Sequence, residues 1–96
     1  MIQVTLKPHA TLKEVFGRDS MIISVSEGIT VREVLERAIG RFREELVPRY
    51  GVQGAHDLLE HCILLLNGRN HSNPDALEMK VKAGDQVEIL VPLAGG

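Results

Sequence analysis

One amphipathic segment near the middle of the chain constrains the fold more than any other feature. Its apolar residues recur at three- and four-residue spacing along one helical face, as Val31, Val34, Leu35, Ala38, Ile39, Phe42 and Leu46. Thr30 and Glu33 match a capping box at its start, and Pro48 predicts its end by about Val47. A stripe of this length must be buried against a second layer, which we expect to be a sheet.

Short alternating or apolar segments flank the helix and supply this sheet. The predicted strands cover residues 2–7, 21–25, 62–66 and 86–91, and a short helix covers residues 11–16. Asn67-Gly68 favours a tight hairpin turn after the third strand. Residues 51–60 show no period and are interpreted as a long connection with room for a turn of helix. The first strand should pair antiparallel with the second and parallel with the last, which makes an α+β domain.

Composition and charge exclude several classes of protein. Eleven Lys and Arg residues against thirteen Asp and Glu residues give a formal charge of -2, so no nucleic-acid partner is expected. No apolar segment approaches the ~20 residues that span a bilayer, and no basic-then-apolar leader opens the chain, so we expect no membrane partner and a cytoplasmic protein. The charged residues of the main helix are expected to form a solvated face, on which Glu33 and Arg37 have the spacing of an ion pair.

Cysteine and histidine form no pattern typical of a catalytic or metal site. Cys62 is the single cysteine, which favours a reducing compartment, and it is interpreted as a buried apolar residue rather than a nucleophile. The histidines lack the short spacing of structural zinc ligands, so no metal site is expected. They are His9, His56, His61 and His71.

The carboxyl end carries the candidate reactive group. After Val91 the chain continues as Pro92-Leu93-Ala94-Gly95-Gly96. A carboxylate that ends a segment without side chains can pass through a narrow channel that a Cβ atom would block. An ATP-consuming partner could convert this carboxylate to an acyl-adenylate, which a sulfur or nitrogen nucleophile could displace. We therefore divide the chain into a folded domain, residues 1–92, and a flexible tail, residues 93–96.

Such a tail needs a docking surface on the folded domain, because ordering it costs on the order of 1 to 2 kcal/mol per residue. If Val87 and Ile89 face the helix, Leu90 lies on the opposite face of the sheet, together with one parity of the run 63–66. Apolar residues on an uncovered sheet face indicate a partner surface. In the alternative, residues 51–60 fold over that face and place these side chains in the core.

The chain resembles the ubiquitin-like β-grasp sulfur carriers of the MoaD and ThiS type, and among them MoaD, the small subunit of molybdopterin synthase, most of all. The resemblance spans nearly the whole sequence. It rests on residues 12–17 (LKEVFG), 28–31 (GITV), 66–68 (LNG), 84–87 (GDQV) and 91–96 (VPLAGG). It implies a β-grasp fold, in which a mixed sheet of four to five strands packs on one main helix.

The resemblance also implies a carrier rather than an enzyme, with no cofactor bound by the chain itself. An activating enzyme of the MoeB or ThiF kind would use ATP to adenylate Gly96, which then becomes a thiocarboxylate, with Gly95, Ala94 and Leu93 threaded towards that enzyme's active site. A MoaE-like large synthase subunit would next accept the sulfur for molybdenum or tungsten cofactor synthesis. The residues implied in partner binding are Ile63, Leu65, Leu90 and Pro92. Carriers for thiamine or cysteine synthesis, and protein modifiers conjugated to lysines, share this ending and remain alternatives.

Overall fold

The structure is a computed structural model that describes residues 1–9, 11–17, 19–51, 54–71 and 73–90. In chain order its elements are β1 (Ile2–Pro8), α1 (Thr11–Phe16), β2 (Met21–Val25), α2 (Val31–Arg41), α3 (Arg43–Tyr50), α4 (Ala55–His61), β3 (Ile63–Leu66), β4 (Arg69–Asn70), a 3-10 helix (Pro74–Glu78) and β5 (Gln86–Leu90). Across these described residues, we find no helix that combines the length and the apolarity needed to cross a bilayer.

The strands form one mixed sheet in the order β2-β1-β5-β3-β4, which has five strands among the described residues. β1 pairs antiparallel with β2 and parallel with β5, and β3 pairs antiparallel with both β5 and β4. The predicted α+β architecture and the predicted partners of the first strand are therefore confirmed. Because β5 lies between β1 and β3, the strand that leads into the tail is central in the sheet.

The core lies between one face of the sheet and the helical layer. The alternating apolar residues of β1, β2 and β5 are buried on that face, as their periods of two predict. The stripe of α2 covers them with Val31, Val34, Leu35, Ala38 and Ile39, all at most 1% exposed. Leu12 of α1 and Leu77 of the 3-10 helix are fully buried in the same core.

The single long helix that the stripe predicts is in fact two helices. Phe42 ends α2 because its backbone leaves the helical region, at φ -117° and ψ 27°, while its side chain still packs against the core. The helix α3 then continues through Pro48 to Tyr50, so the predicted end by Val47 is wrong. Pro48 has no N–H to donate to the preceding turn, but the helix continues beyond it, and the N–H of Gly51 donates to the carbonyl of Val47 at 2.8 Å.

The start of α2 is where the sequence places it, but the capping differs. Thr30 is the N-cap residue, yet its side chain makes no capping hydrogen bond. Instead the N–H of Val31 donates to the carbonyl of Met79 at 2.8 Å, and the N–H of Val81 donates to the carbonyl of Ile29 at 2.9 Å. The segment after the 3-10 helix therefore satisfies one of the first N–H groups of α2, that of Val31, by a backbone contact rather than by a capping box.

Residues 51–60 form more structure than the sequence predicts, because they contribute most of α4. Ala55, Leu58 and Leu59 of this helix are buried in the core, where α4 packs on α2 and the 3-10 helix. Oε1 of Glu36 on α2 accepts the N–H of Ala55 at 2.9 Å, which satisfies one donor at the start of α4. The described part of this segment that forms α4 thus belongs to the helical layer and does not cover the opposite face of the sheet.

The turn between β3 and β4 has the predicted geometry. Asn67 and Gly68 have φ of 51° and 85°, the positive values that a type I′ turn requires at both central positions. Asn67 also joins this turn to the one before β5: its Oδ1 accepts the N–H of Gln86 at 2.8 Å, and its Nδ2 donates to Oδ1 of Asp85 at 3.0 Å. The two turns at this end of the sheet therefore hold each other.

Candidate docking face

The candidate site is the apolar group Ile63, Leu65 and Leu90, which we call the docking patch. On β3, Ile63 and Leu65 are partly exposed, whereas Leu64 and Leu66 are 0% and 8% exposed. On β5, Leu90 is partly exposed and the preceding residue faces the core. The antiparallel register places Leu90 directly opposite Ile63, so the patch is continuous across both strands.

The orientation predicted for these side chains agrees with the structure. The alternative in which residues 51–60 cover this face is wrong for the described residues 54–60, because α4 packs on the helical layer. The roles in partner binding are not tested by orientation alone and stay predictions. What the geometry establishes is an apolar surface on the face of the sheet opposite the helices.

A charged group borders the docking patch, and sequence reasoning did not identify it. Glu88 of β5 lies opposite Leu65 on one side and opposite Lys7 of β1 on the other. Its Oε2 lies 2.7 Å from Nε2 of His9, and the Glu88 side chain is only 17% exposed. The N–H of His9 donates to the carbonyl of Ile89 at 2.9 Å, which holds this residue beside the end of β5. The parity of β5 could have placed Glu88 on this face, but only the parallel register shows its partners.

The predicted reactive tail, residues 93–96, is separated from Leu90 of the docking patch by two residues in the sequence. Val91, predicted as the last residue of the final strand, and Pro92, Leu93, Ala94, Gly95 and Gly96 lie outside the described residues. The boundary between a domain of residues 1–92 and a tail of residues 93–96 therefore stays a prediction. Leu90, the last described residue, belongs both to β5 and to the docking patch.

Cys62 is not a reactive thiol. It is 7% exposed and belongs to the core, and burial raises the pKa of its thiol from the ordinary 9.0 to about 12. The thiolate is the nucleophilic form of cysteine, and it is scarce at neutral pH when the pKa is this high. The interpretation of Cys62 as an apolar core residue is therefore supported by the structure.

The spacing of cysteines and histidines in the sequence does not reveal one cluster of possible metal ligands, because two of its members are acidic residues. His56, Asp57 and Glu60 on α4 can place one ligand atom each within 4.8 Å of one another. Nδ1 of His56 lies 3.0 Å from Oε1 of Glu60, an ion-pair spacing at i and i+4. His56 and Glu60 are exposed, and exposed acidic groups commonly meet in this way without an ion. The cluster is therefore a surface pair with a neighbouring carboxylate.

Comparison with known proteins identifies the family to which the chain belongs. The model of the ThiS family matches residues 9–96, which is nearly the whole chain. The chain belongs to the ThiS family. Members of this family are small, non-catalytic carrier subunits, so the chain is a carrier rather than an enzyme, as the resemblance implied.

Individual relatives agree with this family and with its β-grasp fold. Small archaeal modifier protein 3 of Haloferax volcanii is 30% identical over 95 residues, which cover 99% of this chain and all of that protein. The crystal structure of SAMP1 from Haloferax volcanii superposes with a TM-score of 0.78 at 29% identity, over 98% of this chain and 99% of that one. A chain in the complex of subunits 1 and 2 of molybdopterin-converting factor from Helicobacter pylori has a TM-score of 0.59 at 24% identity, over 99% and 100%. The identities do not single out the molybdopterin branch.

Proposed function

We propose that this protein is a ubiquitin-like sulfur carrier whose carboxyl-terminal glycine, Gly96, is activated and converted to a thiocarboxylate for molybdopterin synthesis. The continuity between the docking patch and the tail carries the proposal. The described part of β5 reaches Leu90 in the patch, and six further residues follow Leu90 in the sequence. Six residues reach at most about 20 Å when fully extended. A partner that binds the patch must therefore hold its catalytic groups within about that distance.

The proposed chemistry needs only the terminal carboxylate of this chain. Its oxygen attacks the α-phosphorus of ATP on the activating enzyme, so that an acyl-adenylate forms and pyrophosphate leaves. Hydrosulfide, or an equivalent sulfide-level nucleophile, then attacks the acyl carbon, so that a carbon–sulfur bond forms, the bond to AMP breaks and AMP leaves from the thiocarboxylate. Gly95 and Gly96 suit this step because neither has a Cβ that would obstruct a narrow active-site channel. The ATP is consumed at the partner, and we assign no cofactor to this chain.

Two partners follow from the proposal, each of which would cover the docking patch in turn. The first is an activating enzyme of the MoeB or ThiF kind, and the second is a MoaE-like large subunit that accepts the sulfur. The Helicobacter pylori relative, found as a complex of two subunits, supports a synthase partner. Ile63, Leu65 and Leu90 would supply the apolar contact, while Pro92, Leu93 and Ala94 would lead the tail into each active site. These reactions belong to the cytoplasm, where we place the protein.

A second candidate function is conjugation of the same activated terminus to lysines of other proteins. It is favoured by the Haloferax volcanii relatives, which are named as modifier proteins and are 29% and 30% identical to this chain. The chemistry up to the acyl-adenylate is shared. The two functions differ only in the nucleophile, which is sulfur for the carrier and a lysine amine for the modifier. Carriers for thiamine or cysteine synthesis differ from the first proposal only in the protein that receives the sulfur.

The product formed on the terminus distinguishes these functions. The chain is co-expressed with each candidate activating enzyme and a sulfur source, and its intact mass is measured. A thiocarboxylate adds the mass of one oxygen-to-sulfur exchange at Gly96, whereas conjugation gives lysines linked through isopeptide bonds. Transfer is then measured with purified large subunits from the molybdopterin, thiamine and cysteine pathways. An unmodified terminus in every pairing, with each enzyme shown to be active on its own carrier, contradicts the proposal.

Two variants separate the roles of the tail and the docking patch. Deletion of Gly95 and Gly96 should abolish modification while the described domain keeps its far-UV circular dichroism. Leu90→Glu should slow modification by placing a charge in the patch, whereas Gln3→Glu, which adds the same charge to an exposed site on the same face, should not. Equal effects of the two glutamate variants would mean that net charge, not the patch, controls activation.

A further inference from the structure

The edge strand β2 presents unpaired peptide groups on the side of the sheet farthest from β3 and β4. Thr5 of β1 donates its N–H to the carbonyl of Asp85, away from β2, and alternate residues of a strand direct their peptide groups to opposite neighbours. The β1 residues that bond to β2 are therefore Ile2, Val4 and Leu6, opposite Val25, Ile23 and Met21. Ile22 and Ser24 remain, with their N–H and C=O groups directed at the open edge. Among the described residues, no strand pairs with this edge.

A groove of about 410 Å³ runs beside this edge, between β2 and the helix α2. Its lining residues are Met21, Ile22, Ile23, Ser24, Arg37 and Arg41. Ile22 is 61% exposed, an unusual state for a large apolar side chain in this domain. The groove is therefore a strip of open backbone with an exposed apolar side chain on one side and two arginines on the other.

The two arginines of the groove are available to a ligand. Arg37 and Arg41 are one turn apart on α2, and both are exposed. The ion pair expected from the spacing of Glu33 and Arg37 is not formed, and neither arginine takes part in an ion pair within the described part of the chain. By contrast, Arg32 on the same helix is bound by Glu78 at 2.8 Å. The groove therefore carries two uncompensated positive charges although the whole chain has a formal charge of -2.

We propose that the β2 edge binds an extended acidic segment of a partner protein, which adds to the sheet as a sixth strand. The peptide groups of Ile22 and Ser24 would pair with the backbone of that segment, as in other cases of strand addition. Carboxylates on its helix-facing side would pair with Arg37 and Arg41, where charge-assisted hydrogen bonds are stronger than neutral ones. Strand β1 separates this edge from β5 and the docking patch, so both sites could be occupied together.

Charge favours an acidic partner over a second copy of this chain. If two copies paired through their β2 edges, the sheets would be continuous and the α2 helices would lie on one side of it. Each groove would then face the other copy's arginines, and like charges brought together in this way repel. A segment with carboxylates at alternate positions removes this repulsion and supplies the missing counter-charges.

The pleat of a strand sets the pattern that the segment should have. Side chains alternate between the two faces, so every second residue would lie over Arg37 and Arg41 and the others beside Ile22. Acidic residues suit the first set and β-branched apolar residues suit the second. The expected ligand is thus a strand of alternating glutamate or aspartate and valine or isoleucine, with no proline.

The test titrates the full chain with a synthetic peptide of about eight residues that alternates valine and glutamate. New hydrogen bonds should move the amide proton signals of Ile22 and Ser24 downfield in the nuclear magnetic resonance spectrum, and the amide of Leu65 in the docking patch should not move. The same peptide with lysine in place of glutamate should leave all three signals unchanged. Binding of the acidic peptide should weaken as salt is added, because exposed charges are screened.

Matched variants decide whether the two arginines carry the binding. The double variant Arg37→Gln with Arg41→Gln should bind the acidic peptide about tenfold more weakly or worse, because it loses the charge-assisted bonds. The double variant Arg43→Gln with Arg69→Gln loses the same net charge outside the groove and should bind as the unmodified chain does. Ser24→Pro removes an outward N–H and should also weaken binding, since proline at an edge position leaves the pairing with β1 intact.

Three results would overturn the proposal. The first is an absence of shifts at Ile22 and Ser24 with the acidic peptide at millimolar concentration. The second is an equal loss of affinity in the two double-arginine variants, which would assign the effect to net charge. The third is a concentration-dependent increase in mass of the chain alone that Ser24→Pro abolishes, which would make the β2 edge an interface between two copies.

Discussion

Truncation to alanine should lower the stability of the domain far more at Ile89 than at Leu90, although the two residues are neighbours on β5. This comparison tests which face of the sheet each side chain occupies, and the docking patch depends on that assignment. Ile89 is 1% exposed and packs in the core, whereas Leu90 points to the other face and is partly exposed. Ile89→Ala removes three buried carbons, each worth about 0.8 kcal/mol, and leaves a cavity, so we expect a loss of about 3 to 4 kcal/mol. Leu90→Ala should cost less than about 1 kcal/mol, because its side chain stays in contact with water.

Urea unfolding followed by far-UV circular dichroism measures both losses. Fluorescence is a poor probe here, because the chain has one tyrosine and no tryptophan. For a domain of this size the larger loss lowers the melting temperature by on the order of 15 °C or more. Where Ile89→Ala is too unstable to analyse, Ile89→Val should still cost about 1 kcal/mol.

When binding of a partner is measured instead of stability, the larger effect should come from the change at Leu90 and not from the change at Ile89. Leu90→Ala should weaken binding of an activating enzyme, and Ile89→Val should not, since the second side chain does not reach the surface. Comparable losses of stability at the two positions, or a greater loss for Leu90→Ala, would refute the face assignment. The docking patch would then not exist as described.

Three further predictions concern the patch, the core cysteine and the hairpin turn. Leu90→Glu should weaken partner binding by about 2 kcal/mol in calorimetry, with unchanged circular dichroism; an unfolded variant would place this side chain in the core. Because the folded pKa of Cys62 is about 12 and its ordinary value is 9.0, the folded state retains the proton longer. Stability relative to Cys62→Ala should therefore be constant below pH 9 and fall by about 1.4 kcal/mol per pH unit between these two pKa values, which urea titrations at several pH values would detect or disprove. Asn67→Ala should lower the free energy of unfolding by about 1 to 2 kcal/mol. Asn67→Gly should recover the part of this loss that is due to positive φ, but not the part that is due to the hydrogen bond with Gln86. Identical losses in the two variants would mean that φ contributes nothing.

Local patterns were sufficient to predict the elements that are periodic over several residues. The alternation in β1 and β5 predicted which residues face the helix, and the stripe of α2 predicted its buried side. Asn67-Gly68 predicted its turn because few residues accept positive φ at both positions. In each case the information lies within one segment, so no knowledge of its neighbours is needed.

The elements that sequence reasoning missed depend on contacts with distant residues. α4 has seven residues, too few to be stable alone, and it exists because its apolar side packs on α2 and Glu36 binds its first turn. The end of α2 at Phe42 likewise leaves the apolar spacing of the stripe unchanged, so periodicity could not reveal it. Leu46, the last residue of the predicted stripe, has a side chain outside the described part of the structure.

The amino-acid sequence alone therefore determined the faces of the strands and the buried side of the main helix. Only the tertiary structure decided which of these residues become neighbours. His9 and Glu88 are 79 positions apart and meet through the parallel register of β1 and β5, and Arg37 and Arg41 reach the β2 edge through the packing of α2. The physical reason is that periodicity is a property of one segment, whereas register and crossing geometry minimise the free energy of the whole packed domain.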